Sequence, residues 1–141
     1  MMFLVDANVL SEATKPSPEP AVLKWLEAHE PDLAVDPVIL GEIRYGILQL
    51  PAGRRRQRLE QWFAEGVERI HCLTWDAATG LGWAKLLADL RAAGRAMPIK
   101  DSLIAATALH HGCPIVTRNR RDFEKAGVDV IDPFATPPAG P

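Results

Sequence analysis

The chain has 141 residues, with 16 Lys or Arg against 18 Asp or Glu and a formal net charge of −2 at pH 7, which excludes binding of nucleic acid by bulk positive charge but leaves room for a local basic patch. Its 48% hydrophobic and 24% charged residues are those of one folded domain, not of a disordered or collagen-like chain. Two cysteines, Cys72 and Cys113, are too few for a disulfide-stapled scaffold or a four-thiolate zinc site and fit a reducing cytoplasm, and the apolar residues 1–5, interrupted by Asp6, are too short for a signal-peptide core or a membrane span.

Phe3, Leu4 and Val5 form a continuously apolar run that predicts a strand buried on both faces and ending at Asp6. Prolines at 16, 18 and 20 make a rigid connection, and Pro20 stands where the first turn of a helix tolerates it. Val22, Leu23, Trp25 and Leu26 continue at helical spacing. Residues 33–35 read as a second strand; Asp36 and Pro37 then read as an N-cap and a first-turn proline, opening a helix over 37–50 whose apolar stripe is Ile39, Ile43, Gly46 and Leu50. A helix headed by Arg54, Arg55, Arg56 and Arg58 follows over 54–63, and a third strand over 70–73. Asp76 caps a long Ala- and Leu-rich helix ending near Gly94, and another runs over 99–111 to a glycine stop at Gly112. A fourth strand over 114–117, a short helix over 122–126 and a fifth strand over 128–131 complete the pattern. The expected fold is therefore α/β, an open, mostly parallel five-stranded sheet with helices on both faces. One domain spans 1–132, and 133–141, with four prolines in nine residues, is a proline-rich tail.

In such a sheet, chemistry gathers beyond the carboxyl ends of the strands, where strand order reverses. Asp6 stands at such an end, either as a helix cap or as a functional acid that needs a cation or hydrogen bonds. At about 100° per residue, Glu42 lies roughly 60° from the centre of its helix's stripe and borders the buried face. Asp101 shares a face with Ile104, Ala105 and Ala108, although a first-turn acid is also favoured by the helix dipole. Asp122 follows the fourth strand and reads either as an N-cap or as a further acid at the same rim. Four carboxylates with no neighbouring His or Cys suit Mg²⁺ or Mn²⁺, hard ions that prefer oxygen.

Phe3-Leu4-Val5-Asp6-Ala7-Asn8-Val9-Leu10-Ser11-Glu12, Gly41-Glu42 within a helix, Asp101-Ser102-Leu103-Ile104-Ala105-Ala106-Thr107-Ala108 and Thr117-Arg118-Asn119-Arg120-Arg121-Asp122-Phe123 together resemble the signature of PIN-domain ribonucleases. More narrowly, they are similar to the VapC toxins of toxin-antitoxin pairs, and the resemblance covers nearly the whole chain in order. It implies a PIN-like fold and a Mg²⁺- or Mn²⁺-dependent endoribonuclease that is usually a homodimer and is held inactive by a VapB-type antitoxin. The family's first three acids fall on Asp6, Glu42 and Asp101. Asp6 and Asp101 are expected as principal metal ligands, with Glu42 a ligand or the holder of the attacking water. Many relatives carry an acid where this chain has Asn119, so the fourth role falls to Asp122 or to a water held by Asn119, and Thr117 matches a hydroxyl lining the same site.

Arg118, Arg120 and Arg121 are expected to present guanidinium groups to an RNA backbone from the same rim. Arg54, Arg55, Arg56 and Arg58 head a helix against its dipole, as a solvated face or an RNA contact. His110 and His111 suit a helix end, Cys72 and Cys113 read as buried thiols, and the four tryptophans as core or interface residues. Two rivals remain. A haloacid-dehalogenase-like phosphatase also places an aspartate after its first strand but expects a second acid two residues on, where this chain has Asn8. A non-catalytic PIN-like binding protein would keep all the acids.

Overall fold

The computed structural model describes residues 1–135; residues 136–141 of the proline-rich tail lie outside the described residues. Five strands, β1 (Phe3–Val5), β2 (Leu33–Val35), β3 (His71–Cys72), β4 (Ile115–Val116) and β5 (Val130–Ile131), form one sheet in the order β3-β2-β1-β4-β5. Every pairing is parallel, with Phe3 opposite Leu33, Leu4 opposite Ile115, Ala34 opposite His71 and Ile115 opposite Val130. The strands are two or three residues long, which matches apolar runs too brief to alternate. The central strands are buried through, with Leu4, Val5, Ala34, Val35, Ile115 and Val116 fully enclosed.

Among the described residues seven α-helices connect them: α1 (Ala7–Leu10), α2 (Pro20–Ala28), α3 (Pro37–Leu48), α4 (Arg54–Glu65), α5 (Ala77–Ala92), α6 (Ile99–His111) and α7 (Arg120–Glu124). The chain steps outward from β1 through β2 to β3, then crosses to β4 and on to β5. With right-handed crossovers this reversal puts the connecting helices on opposite faces and leaves a crevice beyond the ends of β1 and β4. Among the described residues no helix is long and apolar enough to cross a membrane.

The local signals explain most boundaries. Asp36 and Asp76 cap α3 and α5 through their side chains, and Gly112, at φ +66°, ends α6 in the left-handed conformation that L side chains avoid. Three expectations are corrected. The buried stripe of α3 is Ile39, Ile43 and Ile47, because the helix ends at Leu48, leaving Leu50 beyond its last turn and Gly46 exposed. The short helix begins at Arg120, not at 122, so Asp122 lies inside its first turn and does not cap it. Cys72 is exposed and only Cys113 is buried, since β3 is an edge strand with little packed on it.

The tryptophans are half-buried braces. Trp75 donates to the Leu103 carbonyl (3.2 Å) and Trp83 to Ser102 Oγ (2.9 Å), tying α5 and the loop before it to α6. Trp25 stacks on His29 at 4.1 Å and meets Phe3 edge-on. His111 donates to the Thr74 carbonyl (3.0 Å), and His110 stands 4.0 Å from Asp76, so both histidines serve the end of α6.

Candidate active site

Asp6 follows β1 directly, and its backbone N–H donates to the Val116 carbonyl of β4 (2.9 Å), which fixes it at the crevice. Its carboxylate caps α1 by accepting from Ala7 N at Oδ1 (2.8 Å), while Oδ2 accepts from Thr117 Oγ1 (2.8 Å) and Asn8 Nδ2 (3.3 Å). The cap and the rim acid are thus one residue. Burial raises its pKa to about 6, opposed by the Thr117 and Ala7 hydrogen bonds and reinforced by the charges of Glu42 and Asp101.

Thr117, fully buried at the end of β4, also accepts from Asn8 Nδ2 (3.2 Å) and Asn119 N (3.0 Å). Asn119 extends the chain of contacts: its Nδ2 donates to Asp101 Oδ2 (3.1 Å) and Asp122 Oδ2 (3.0 Å). One amide therefore stands between two carboxylates that would otherwise repel. Asp101, in the first turn of α6, is buried, and that burial raises its pKa; Lys100 lowers it, while Asp122 and Glu42 push it up. Asp122 is further held by Lys125 at 3.5 Å.

Glu42 comes from the middle of α3. Its Oε1 accepts from Lys100 Nζ (2.8 Å), and its Oε2 is buried without a hydrogen-bond partner among the described residues. Because Asp36 at the head of α3 meets Thr107 late in α6, while Glu42 meets Lys100 at the head of α6, the two helices run antiparallel along the site. Lys100 escaped the sequence reading although the signal was present: like the arginines of α4, it is a cation in a helical first turn, where the dipole disfavours it.

All six expected site residues, Asp6, Glu42, Asp101, Thr117, Asn119 and Asp122, are thus gathered at one end of the sheet. Asn8 joins them, turning its amide to Asp6 and Thr117 and accepting from Arg118 N (3.1 Å); it supplies no second acid of the dehalogenase kind. The oxygen-only donors, the unpartnered Glu42 Oε2 and the raised pKa values of Asp6 and Asp101 fit a hard divalent cation. In this arrangement no three His, Cys, Asp or Glu side chains among the described residues are close enough to share one ion, and Lys100 supplies the local positive charge.

The arginines of the rim are partly engaged. Arg118 lies over the Phe134 ring at 4.5 Å, and Arg120 pairs with Glu124 (2.9 Å) and reaches the Val130 carbonyl (3.3 Å). Arg121 is exposed.

Comparison with known proteins agrees with this fold. The PIN domain family model matches residues 3–129. The VapC ribonuclease Y4jK of Sinorhizobium fredii is 35% identical over 138 residues, covering 94% of this chain and 98% of that protein. The plasmid stability protein StbB of Pseudomonas syringae is 37% identical over 137 residues, covering 94% and 99%. The crystal structure of FitAcB from Neisseria gonorrhoeae superposes with a TM-score of 0.86 at 27% identity, covering 96% of this chain and 100% of that one. Fold and sequence therefore agree: the chain belongs to the PIN domain family.

Proposed function

We propose that the chain is an endoribonuclease toxin of the VapC type, hydrolysing RNA phosphodiester bonds at the centre built from Asp6, Glu42 and Asp101. The observation that carries this reading is the meeting, at the crevice beyond β1 and β4, of acids that lie far apart in the sequence. PIN-domain nucleases are generally dependent on a divalent metal; here Mg²⁺ or Mn²⁺ would be held by Asp6 and Asp101, with Glu42 as a further ligand or the holder of the attacking water, once these side chains turn toward the ion from the positions they take without it. When bound, it supplies a Lewis acid at the phosphoryl oxygens and lowers the pKa of the attacking water.

The chain's own groups prepare that centre. Thr117 and Ala7 N hold Asp6 in one orientation through both oxygens. Asn119 fixes Asp101 and separates it from Asp122, which stays in the outer part of the site. With its pKa near 6, Asp6 is ionised at neutral pH and available as a ligand. Arg118, Arg120 and Arg121 border the site on the β4 side, where Arg121 is exposed to an RNA backbone while Arg118 and Arg120 would have to leave their partners within the fold to reach it. The nuclease domain is residues 1–132 with a tail over 133–141, the working compartment is the cytoplasm, and the protein acts as a homodimer.

A VapB-type antitoxin is the proposed partner. Solved relatives include FitAB bound to a DNA fragment and VapBC complexes, and exposed Tyr45, Leu48, Leu81 and Ile99 give this chain apolar surface to bury against partners. Purified protein freed of any copurifying antitoxin is expected to cut a structured RNA with Mg²⁺ or Mn²⁺ and to stop with EDTA. Asp6→Asn and Asp101→Asn should each lower the rate about 10²-fold or more, the scale of losing one strong transition-state contact. Undiminished cutting by both variants would mean that the site is not this one.

A further inference from the structure

A groove of about 340 Å³ starts at Asn8 and Glu42 and passes along α1 and α3 to Arg55 and Trp62 of α4. It shares Thr14 and Arg55 with a second cavity of about 530 Å³, whose other walls are Lys15, Pro16 and Arg58. The groove beside the acid centre and a basic cradle therefore adjoin at Thr14 and Arg55. Apart from Glu42 at its inner end, no carboxylate lines either cavity among the described residues.

The four arginines that head α4 divide by partner. Arg56 turns back to Glu60 (3.3 Å) and the Leu50 carbonyl (3.4 Å), so its charge is spent within the fold. Arg55 and Arg58, one helical turn apart, line the cradle and make no ion pair among the described residues. Lys15 enters from the turn after α1, held by Glu12 at 2.9 Å, and its ammonium keeps two further donors free. A cation in a helical first turn opposes the dipole, which applies to Arg55, and Arg58 stands one turn further along the same face.

We propose that Lys15, Arg55 and Arg58 form a phosphate subsite that grips the backbone of single-stranded RNA leaving the acid centre along the groove between α3 and α4. Charge complementarity names the occupant: two guanidinium groups without an ion pair among the described residues, beside a lysine held by Glu12 alone, suit consecutive phosphates, and guanidinium forks bind phosphate oxygens in pairs. The subsite rests on the ribonuclease reading and adds the path of the strand. It places the phosphate grip on the α4 side of the centre, away from the loop where Arg118 and Arg120 already have partners.

The test is fluorescence anisotropy with labelled single-stranded oligoribonucleotides, full-length protein in EDTA so that no strand is cut, and a salt series. The double variant Arg55→Gln/Arg58→Gln should bind a ten-nucleotide RNA about tenfold more weakly, and the slope of log K against log salt should fall by about 1.4, two contacts at roughly 0.7 each for a single strand. Arg91→Gln, on α5 outside the groove, should leave both unchanged. Both arginines are exposed, so the variants should fold, which circular dichroism confirms. An unchanged slope overturns the proposal. So does a double variant that keeps the slope yet loses a co-expressed antitoxin, because the groove would then take a protein chain. If wild type binds RNA with the expected slope but cuts nothing with Mg²⁺, the ribonuclease reading fails while the cradle stands.

Discussion

At the scale of single residues, the site works by making each polar group serve two neighbours. Thr117 is the clearest case: its hydroxyl hydrogen goes to Asp6 Oδ2, while its oxygen receives Asn8 Nδ2 and Asn119 N. Thr117→Val keeps the shape but leaves a buried carboxylate short of a donor and a backbone N–H short of an acceptor. We expect a loss of about 1–3 kcal/mol in urea unfolding and at least a tenfold fall in kcat/KM, since Asp6 and Asn119 both lose their fixed positions. Thr117→Ser should recover most of both, and a stable, fully active valine variant would remove Thr117 from the site. The hydroxyl was legible in the sequence through the family motif. Its place between Asp6 and Asn119 was not, because 111 residues separate Thr117 from Asp6.

Between elements, the decisive contact is the antiparallel pairing of α3 with α6. Asp36 is fully buried, caps α3 through Ile39 N (2.8 Å) and accepts from Thr107 Oγ1 (2.7 Å). That clamp fixes one end of the pair; Glu42 and Lys100 meet at the other. The cap was readable from Asp36-Pro37, whereas the bond to Thr107, 71 residues away, had no local signal. Asp36→Ala should cost about 1–2 kcal/mol, mainly the lost cap, since Thr107 Oγ1 can still donate to the Leu103 carbonyl (3.3 Å), and should lower cleavage by loosening α3, which carries Glu42, against α6. Asp36→Asn should cost less, since an amide oxygen still accepts from Ile39 N and burial already raises the pKa of this carboxyl. Urea melts and Mg²⁺-dependent rates on the two variants check this. Equal stability of Asp36→Ala and wild type would show that the clamp does not hold the helices.

For the molecule as a whole, the sequence carried the order of elements because apolar triplets, prolines and caps are local, and it carried the rim position of Asp6 because parallel sheets place their sites there. It could not carry the edge position of β3 or the convergence of the acids, which depend on how distant segments meet. That convergence has a consequence for stability. Asp6 moves from an ordinary carboxylate value of 3.8 to about 6, so between those values the folded state binds more protons than the unfolded one and stability falls as pH rises. The cost is fully present above pH 6 and on the order of 3 kcal/mol at most; Asp101 and Asp36 shift in the same direction. Glu12 and Asp76 shift downward, so their stabilisation is lost only below about pH 4.5, the unfolded carboxylate range, and the stabilisation from Lys100, raised from 10.5, is lost only in alkali. Between pH 7 and pH 5 the raised carboxyls therefore dominate, and comparison with Asp6→Asn isolates the share of Asp6. In EDTA, Asp6→Asn should be no less stable than wild type at pH 7, and its advantage should shrink toward pH 5 as the wild-type carboxyl takes up its proton. Mg²⁺ should stabilise wild type at pH 7, by about 2.7 kcal/mol at a hundred times its Kd, less at pH 5 where protons compete, and Asp6→Asn hardly at all. Urea unfolding of both proteins across this range, with EDTA and with Mg²⁺, decides the matter. A wild type indifferent to Mg²⁺ beside a variant destabilised at every pH would make Asp6 a helix cap alone.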